Sequence, residues 1–375
     1  MNRITIIGAS FAALAAARRL RQRDAGAEIT LVAPRPELIY LPSLIWLPSG
    51  QRRAADLVVP LDRFLRRHRL VFRAAQATGI EAGGRRLRTS DGTLDNDGLI
   101  VACGGRFIKK LPGIEQAILP CEGIAPVEKL RQSLAALERG TVALGFAGNP
   151  NEPTAMRGGP IFEFLFGIDT QLRREGRRER IELVFFNPMT KPGNRLGEQA
   201  VQRLMGEMAR RNIVTRLGHK LVGFESGKVR TEGGDFAADL IVFMPGLTGN
   251  AWFDDTDLPR SPGGLLQADA QCRVEGRERL YVAGDAGSFP GPDWLPKQAH
   301  MADMQAATAA ENLVAELAGR PPTATFKPEL VCIVDSLDAG MLVRRTESGS
   351  MALPPLGLMH TAKSAFESLY LRRYR

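Results

Sequence analysis

The stretch RITIIGASFAALAAARRLRQRDAGAEITLVAP, residues 3–34, decides the fold of this chain. The apolar run Ile4–Ile7 predicts a buried strand, and the alanine-rich run Ala12–Leu20 predicts a helix of high intrinsic propensity. A second apolar run, Glu28–Val32, predicts another strand. Strand, helix and strand in this order make a βαβ unit, which is the building block of a doubly wound α/β sheet.

The turn between the first strand and the helix is a weakened dinucleotide-binding fingerprint. It reads GASFAA from Gly8 to Ala13, where the full pattern would be G-x-G-x-x-G. Gly8 permits the turn, and Ser10 and Ala13 are small enough for a pyrophosphate to approach the helix N-terminus. No acidic residue ends the second strand, which is followed by Arg35. Taken alone, this fingerprint also fits a βαβ unit that binds no ligand.

Three later segments repeat the pattern of an apolar strand that ends in a turn of small residues. They are Asp97–Gly105, Ala238–Asn250 and Glu278–Pro290. The last one ends in Gly284-Asp285, and a carboxylate at this place is suited to bonding the hydroxyls of a polyol. The alanine-rich segment Lys297–Leu317 then predicts a long helix.

A second Rossmann-like unit begins at Thr141–Ala147 but lacks the glycines that would hold a cofactor. The strand is followed by Asn149–Pro153, which contains two prolines and a glutamate. Prolines and an acidic side chain suit a loop and do not favour a phosphate. We therefore expect this domain to have lost the ability to bind a nucleotide.

Composition limits the classes of function. With 375 residues, 44% of them hydrophobic, the chain is long enough for two domains. Four cysteines without a C-x-x-C pair and four histidines predict neither a metal site nor a disulfide scaffold. The net charge of +9 fits solvated helix faces, an anionic membrane surface or nucleic acid, and no nucleic-acid-binding motif accompanies the arginines. We expect no signal peptide, and no apolar run is long enough to span a bilayer, so membrane contact is expected to be peripheral.

These segments together resemble the flavoproteins with two dinucleotide-binding domains, the pyridine nucleotide-disulfide oxidoreductase superfamily. Five segments resemble its branch of sulfide:quinone oxidoreductases and flavocytochrome c sulfide dehydrogenases. They are LIYLPSLIW (38–46), GGPIFEF (158–164), PKQAHMADMQAATAAENL (296–313), VCIVD (331–335) and the tail LGLMHTAKSAFESLYLRRYR (356–375).

The resemblance implies an α/β fold of two Rossmann-like domains with a C-terminal amphipathic helical tail. The FAD-binding domain would comprise residues 1–138 and 250–320, and the degenerate NAD-like domain residues 139–249. Residues 321–375 would carry a redox-cysteine strand and a membrane-surface helix. The resemblance implies FAD as the cofactor, with these contact residues: Gly8, Ser10, Ala13, Arg35, Pro42, Ser43, Ala102, Cys103, Gly104, Gly284, Asp285, Lys297 and Gln298.

The resemblance also implies thiol chemistry, with one departure. The branch uses two cysteines on one face of the flavin, and Cys332 corresponds to one of them. Arg157 stands at or near the place of the other, while Cys121 resembles a third cysteine of many family members. Three alternatives stay open: a modified Cys121–Cys332 pair, Cys332 acting alone with Arg157 holding an anion, or loss of sulfide chemistry. Cys272 is expected to be structural, in a surface strand.

Two carboxylates near these cysteines carry alternative roles. Glu163 is either a base at the sulfide site or the cap of the helix that follows Pro160. Asp335 either relays protons or caps a turn. Lys297, at the start of its helix, is the cation expected to stabilise a reduced flavin.

The tail predicts an amphipathic helix with interfacial tyrosines. At helical spacing, one face collects Leu358, Ala362, Ala365, Phe366 and Leu369, flanked by Tyr370 and Tyr374. With the terminal arginines this pattern is typical of a helix on an anionic bilayer surface. The alternative is a helix docked on the body or on a second subunit. The resemblance assigns Tyr40, Phe366 and Tyr370 to the approach of a quinone.

The function expected from the sequence is transfer of two electrons from sulfide, or a related thiol or persulfide, to a membrane quinone. The enzyme is expected to be FAD-dependent and peripheral on the bacterial inner membrane. Two alternatives remain: the flavin subunit of a sulfide dehydrogenase that reduces cytochrome c, or a flavoprotein of this fold that has lost sulfide chemistry. A homo-oligomer is left open.

Overall fold

The computed structural model describes residues 1–375, and its first part contains the βαβ unit expected at the N-terminus. The first helix begins one residue earlier and ends three residues later than expected. Up to residue 136 the strands are β1 Arg3–Ile7, β2 Glu28–Ala33, β3 Glu37–Ile39, β4 Val58–Pro60, β5 Leu70–Ala74, β6 Ala77–Glu81, β7 Arg86–Thr89, β8 Gly92–Asp95, β9 Gly98–Val101 and β10 Arg106–Phe107, and the helices are α1 Phe11–Arg23, α2 Asp62–Arg67 and α3 Ile124–Ala136.

The second part begins with the strand expected at Thr141–Ala147 and then departs from a nucleotide-binding unit. A loop of residues 147–158 separates this strand from the next helix. The strands are β11 Gly140–Phe146, β12 Ile181–Asn187, β13 Val214–Leu217, β14 Leu221–Glu225, β15 Lys228–Thr231, β16 Phe236–Ala237, β17 Leu240–Met244 and β18 Leu247–Thr248, and the helices are α4 Gly159–Arg174 and α5 Glu198–Arg210.

The third part returns to the first sheet and ends in a small antiparallel sheet and a helix. Its strands are β19 Leu266–Gln267, β20 Leu280–Val282, β21 Gly287–Ser288, β22 Glu329–Asp335, β23 Gly340–Thr346 and β24 Gly349–Ala352, and its helices are α6 Ala299–Leu317 and α7 Gly357–Leu371.

Two parallel sheets confirm the expected α/β fold class. The first has the strand order β20-β9-β1-β2-β5, and the second has the order β13-β12-β11-β17. Most of their strands, such as β1, β9 and β17, are buried and rich in Val, Ile and Leu, as parallel sheets covered on two faces require. The edge strands β5 and β13 are partly exposed. In the first sheet, β1, β9 and β20 run side by side, so the turns that follow them open at one edge. This edge is where ligands bind in doubly wound folds.

The C-terminal segment packs on both domains. Leu330 and Val334 of β22 belong to the core of the second domain, together with α4. Tyr370, Leu371 and Tyr374 belong to the core of the first domain. The C-terminal segment, from β22 to the end of the tail, therefore connects the two domains by burying apolar surface in each of them.

Candidate active site

The turn after β1 is held by a contact that only glycine permits. Gly8 has φ +126°, and its N–H donates to the carbonyl of Val32 (2.8 Å). A Cβ at this position would lie 2.4 Å from the carbonyl oxygen of Ala102, so the first helix starts in close contact with the end of β9. The N-terminus of α1 carries no acidic side chain in its first turn, and the hydroxyl of Ser10 caps none of its N–H groups. These N–H groups are therefore available to an anion.

The turn after β9 lies beside it and is fixed by Asn250, which follows β18. The side chain of Asn250 donates to the carbonyl of Gly104 (2.7 Å) and lies 3.3 Å from the sulfur of Cys103. Burial raises the pKa of the Cys103 thiol to about 12. This places Cys103 in a structural turn, where the thiol form persists.

The turn after β20 brings Asp285 against Arg157. The guanidinium of Arg157 donates to the carboxylate of Asp285, which is 8% exposed. The N–H of Gly284 is bonded by Gln305 Oε1 (3.0 Å) from α6. Arg157, which the resemblance places at or near the position of the second redox cysteine, therefore contacts the residue expected to hold the flavin side chain.

Lys297 is buried at the start of α6. Its ammonium donates to the carbonyl of Gly287, and burial lowers its pKa to about 8 although Asp285 and Glu152 counteract this effect. The next residue, Gln298, ends the segment before the helix, and its side-chain oxygen is buried without a hydrogen-bond partner. Such an orphaned oxygen is available to a ligand donor.

The remaining predicted flavin contacts differ in burial. Ser43 is buried in a 3-10 helix, Leu41–Trp46, in which Pro42 occupies the first turn. The side chain of Arg35 is 73% exposed and pairs with Glu37 (3.0 Å).

The loop after β11 is a packed structure and has no glycine turn. Asn149 donates to the carbonyls of Leu247 (2.9 Å) and Gly263 (3.0 Å), and Glu152 accepts from Ser288 (3.1 Å). Asn149 and Glu152 are both buried. The loop therefore fills the space between the two domains with its own polar side chains.

Cys332 and Cys121 are free thiols that pack against the core of the second domain. Cys332 lies on β22, and Cys121 lies in a 3-10 turn, Pro120–Glu122. Burial raises the pKa of each thiol to about 12, and the nearby charge of Glu163 raises it further. Opposite charges counteract this effect, from Lys363 at Cys332 and from Arg157 at Cys121.

Glu163 and Lys363 form a buried ion pair beside Cys332. The Lys363 side chain is 14% exposed and that of Glu163 11%. Lys363 also donates to the carbonyl of Ile333 (3.0 Å), and the backbone N–H of Asp335 donates to Glu163 (3.0 Å). Burial raises the pKa of the Glu163 carboxyl, and Lys363 opposes that shift. Glu163 therefore interacts with β22 and α7, and the expectation that it caps its own helix is wrong.

Asp335 is the centre of a second buried cluster under α7. Its carboxylate accepts from the indole N–H of Trp46 (3.0 Å), from His360 Nδ1 (2.7 Å) and from the backbone N–H of Leu337 (2.9 Å). The last bond is the turn cap that the sequence leaves open. The amide of Gln51 lies 3.0 Å from His360 Nε2, which connects the cluster to the surface.

The predicted apolar face of α7 points outward. Leu358 is 70% exposed, Phe366 57% and Leu369 60%. The polar face points inward, where Arg52 bonds Glu367 (2.6 Å). No helix in the structure is both long and apolar enough to cross a bilayer.

Both tyrosines expected at the edge of this face are buried, which corrects the expectation of interfacial rings. The hydroxyl of Tyr370 donates to Asp303 (3.0 Å), and the hydroxyl of Tyr374 donates to Tyr370 (3.2 Å). The ring of Tyr370 packs on those of Phe11 and Tyr40, which is also buried. Of the three residues assigned to the quinone approach, Phe366 alone is exposed.

Cys272 does not lie in a surface strand. It is fully buried in the core of the first domain, at φ +64°. Asp269 Oδ1 accepts from the N–H groups of Gln271 (3.0 Å) and Arg273 (2.9 Å), and this tight turn directs the thiol inward.

Sequence reasoning missed the inward-facing residues of the tail, namely His360, Lys363 and Glu367, and their partners Trp46 and Arg52. The only sequence signal was their helical spacing on the side opposite the apolar face. Their partners lie far away along the chain, so no local pattern identifies them.

Two Rossmann-like domains, with small-residue turns at one sheet edge and free thiols nearby, define a two-domain nucleotide-binding oxidoreductase. The sequence profile described as pyridine nucleotide-disulphide oxidoreductase matches residues 2–147 and 171–306. The chain belongs to this family.

The individual relatives share about a quarter of their residues with this chain. The chain is 24% identical over 401 residues to the sulfide-quinone reductase of Aquifex aeolicus, covering 99% of this chain and 91% of the relative. It is 27% identical over 339 residues to the demethylphylloquinone reductase NdbB of Synechocystis, covering 85% and 80%. The crystal structure of the Aquifex aeolicus sulfide:quinone oxidoreductase superposes with a TM-score of 0.90 at 22% identity, covering 100% of this chain and 92% of that one. This last similarity shows the fold.

FAD is the cofactor of this chain, and its residues fit that group. Gly8 lets the start of α1 approach the end of β9 closely, the N–H groups that begin α1 are uncapped, and buried polar atoms of Arg157 and Gln298 lack partners. The pyrophosphate would be held by the turn of Gly8 and Ser10, and the flavin side chain by Asp285.

Proposed function

We propose that this chain is a peripheral membrane flavoenzyme that transfers two electrons from sulfide, or from a related thiol or persulfide, to a quinone. The observation that carries the proposal is the shared environment of Cys121 and Cys332. Both are free thiols, and both side chains pack against the apolar core to which α4, the helix of Glu163, contributes. The names of two relatives, a sulfide-quinone reductase and a demethylphylloquinone reductase, support the substrate classes.

The environment of the two thiols indicates which residue accepts a proton and which one favours an anion. A thiolate is the attacking species in sulfur exchange, so the proton on Sγ of Cys332 must leave. The Glu163 carboxylate is the acceptor for that proton. Arg157 favours an anion near Cys121, which suits hydrosulfide or a persulfide. When bound, FAD supplies the site that takes up the electron pair and releases it to the quinone.

The loop of residues 147–158 does not favour binding of a nicotinamide nucleotide as the electron donor. A dinucleotide domain places a glycine turn directly after its first strand, whereas here Asn149 and Glu152 are buried and bonded to the neighbouring turns. Other relatives are named NADH dehydrogenase-like protein (26% identical) and type II NADH:quinone oxidoreductase (22% identical). Reduction by NADH is therefore the competing outcome of the test.

The outward apolar face of α7 supports membrane contact. Leu358, Phe366 and Leu369 are exposed on a helix that ends near Arg372, Arg373 and Arg375. Apolar side chains bordered by cations bind the interface of an anionic bilayer. A quinone is apolar and dissolved in the membrane, so this face would bring the flavin domain to its oxidant.

The proposal is tested by anaerobic stopped-flow bleaching of the flavin with sulfide, and separately with NADH. We expect sulfide to bleach the wild-type protein and the Cys272→Ala control, and to leave Cys332→Ser oxidised while it still contains FAD. Bleaching by NADH with no response to sulfide would refute the proposal. Reoxidation by a soluble quinone or by cytochrome c then identifies the acceptor, and Cys121→Ser separates a cysteine pair from Cys332 acting alone.

A further inference from the structure

The helix that presents its apolar side to the exterior also delivers a cation to the thiol site. Lys363 lies on the inward face of α7, five positions after Leu358 and three before Phe366, which both point outward. Its ammonium contacts the Glu163 carboxylate of α4 and the carbonyl of Ile333, the residue after Cys332. One helix thus connects the exposed apolar surface with the charge next to the thiol.

The position of the Glu163 carboxylate depends on two elements. The backbone N–H of Asp335 fixes it to β22, and Lys363 is the cation that pairs with it. Cys332 is the neighbour of Ile333 on β22, and the side chains of Cys332 and Cys121 both pack against the apolar core to which α4 contributes. The Asp335 carboxylate is a further negative charge that acts on Glu163. A buried carboxylate stays ionised only with a partner, because burial disfavours the charged form.

We propose that Lys363 is a positioning residue that keeps Glu163 ionised next to Cys332, so that activation of the thiol depends on the docking of α7. This inference rests on the proposed thiol chemistry. In the step concerned, the Cys332 S–H bond breaks, its proton moves to Glu163, and the sulfur keeps the electron pair with which it attacks. No bond of Lys363 changes in this step.

Docking of α7 is secured by contacts on either side of Lys363. His360 bonds Asp335 one turn earlier, and Glu367 bonds Arg52 one turn later. The rings of Trp46 and His360 also meet edge to face at 5.9 Å. These contacts hold the helix without involving Glu163, so the Lys363 charge can be removed while the helix stays anchored.

The test measures the pH dependence of Cys332 alkylation by iodoacetamide in the full-length, FAD-loaded protein, read by mass spectrometry of the Cys332 peptide. In this reaction the S–C bond forms, iodide leaves, and the thiol proton goes to Glu163. We expect the alkylation rate to rise with pH as Glu163 ionises, and this rising part of the profile is called the acid limb. Lys363→Met should move that limb to higher pH and lower the rate on it about tenfold, which corresponds to one pKa unit. Lys363→Arg should restore the wild-type profile.

The controls separate a charge effect from a folding effect. Lys220→Met removes an exposed lysine that faces Glu232 (3.8 Å) and should leave the profile unchanged. Glu163→Gln should abolish the limb, and adding Lys363→Met to it should change nothing more, because Lys363 acts through Glu163. If Lys363→Met leaves the limb in place, or if Lys363→Arg fails as badly as Lys363→Met, the inference is overturned.

The assay uses neither sulfide nor quinone, so the two proposals can fail separately. A shifted limb in a protein whose flavin does not respond to sulfide would leave the Lys363 inference standing and remove the proposed substrate. An unshifted limb in a protein that oxidises sulfide would remove the Lys363 inference and leave the proposed substrate standing.

Discussion

The guanidinium of Arg157 bonds the carboxylate of Asp285 and so joins the loop after β11 to the turn after β20. Asp285 is 8% exposed, whereas Arg157 retains 24% exposure. Removing one partner of a buried pair leaves an uncompensated charge, which is far more costly than removing both.

Arg157→Met should therefore destabilise the protein by about 2–3 kcal/mol, somewhat less than for a fully buried pair because of the residual exposure of Arg157. Asp285→Asn added to it should recover part of this loss, since no buried charge remains. Urea unfolding followed by circular dichroism measures both effects. Arg53→Met is the matched control: it breaks an exposed pair with Asp56 and should leave the stability nearly unchanged. Equal losses in both single arginine variants would contradict the buried character of the pair.

Gly8→Ala should abolish FAD binding. The new Cβ would meet the carbonyl oxygen of Ala102 at 2.4 Å and force β1 and β9 apart at the site of the turn. Flavin absorbance per protein after purification measures the loss. Gly227→Ala is the control, because Gly227 also has positive φ (+73°) but no atom near its Cβ position and no part in the cofactor site. It should cost only the conformational strain of about 1–2 kcal/mol. Equal flavin loss in both variants would show that backbone strain, and not the collision, governs binding.

Phe366→Ser should weaken binding to anionic lipid vesicles at least tenfold. The ring is 57% exposed on the outward face of α7, and its burial in a bilayer contributes about 1.5–3 kcal/mol. Sedimentation with vesicles of mixed neutral and anionic lipid measures the partition coefficient. Val222→Ser changes an exposed apolar residue on β14 and should leave the partition coefficient unchanged. A Phe366→Ser protein that sediments like the wild type would exclude this face as the lipid contact.

Asp303→Asn should stabilise the protein in a pH-dependent manner. Burial raises the pKa of Asp303 from 3.8 to about 6, although the Tyr370 hydroxyl opposes this shift. The folded state thus holds a proton that the unfolded state releases, so the unfolding free energy falls as pH rises from about 4 to about 6. Asparagine has no such loss and should be more stable by about 3 kcal/mol at pH 8, with the difference vanishing towards pH 4. Urea unfolding across this range checks it, and a difference that is constant with pH would contradict the assigned cause.

The two sheets and the cofactor turns could be predicted from the sequence because local rules govern them. Runs such as Ile4–Ile7 specify buried strands by composition, and Gly8 marks a turn that only glycine fits. The apolar face of α7 follows from helical spacing in the same way.

The polar side of the site could not be predicted, because its partners are distant in sequence. Helical spacing assigns Lys363 and Glu367 to one face of α7, but it cannot say that this face points inward. That depends on Glu163 and Arg52, which are contributed by other elements. Tyr370 is buried for the same reason, since its hydroxyl finds Asp303 on α6. Cys272 was wrongly placed because its positive φ and the Asp269 turn are not visible in an apolar pattern.

Trp46 gives this protein an optical reporter of its own. It is one of only three tryptophans, its indole is fully buried, and its ring lies 4.8 Å from the Arg52 guanidinium and 5.9 Å from the Lys363 ammonium. Indole emission responds to the electric field of such nearby charges. With the other two tryptophans replaced by phenylalanine, the emission wavelength of Trp46 would shift whenever α7 separates from the body. The rate of that separation could then be measured without attaching a dye.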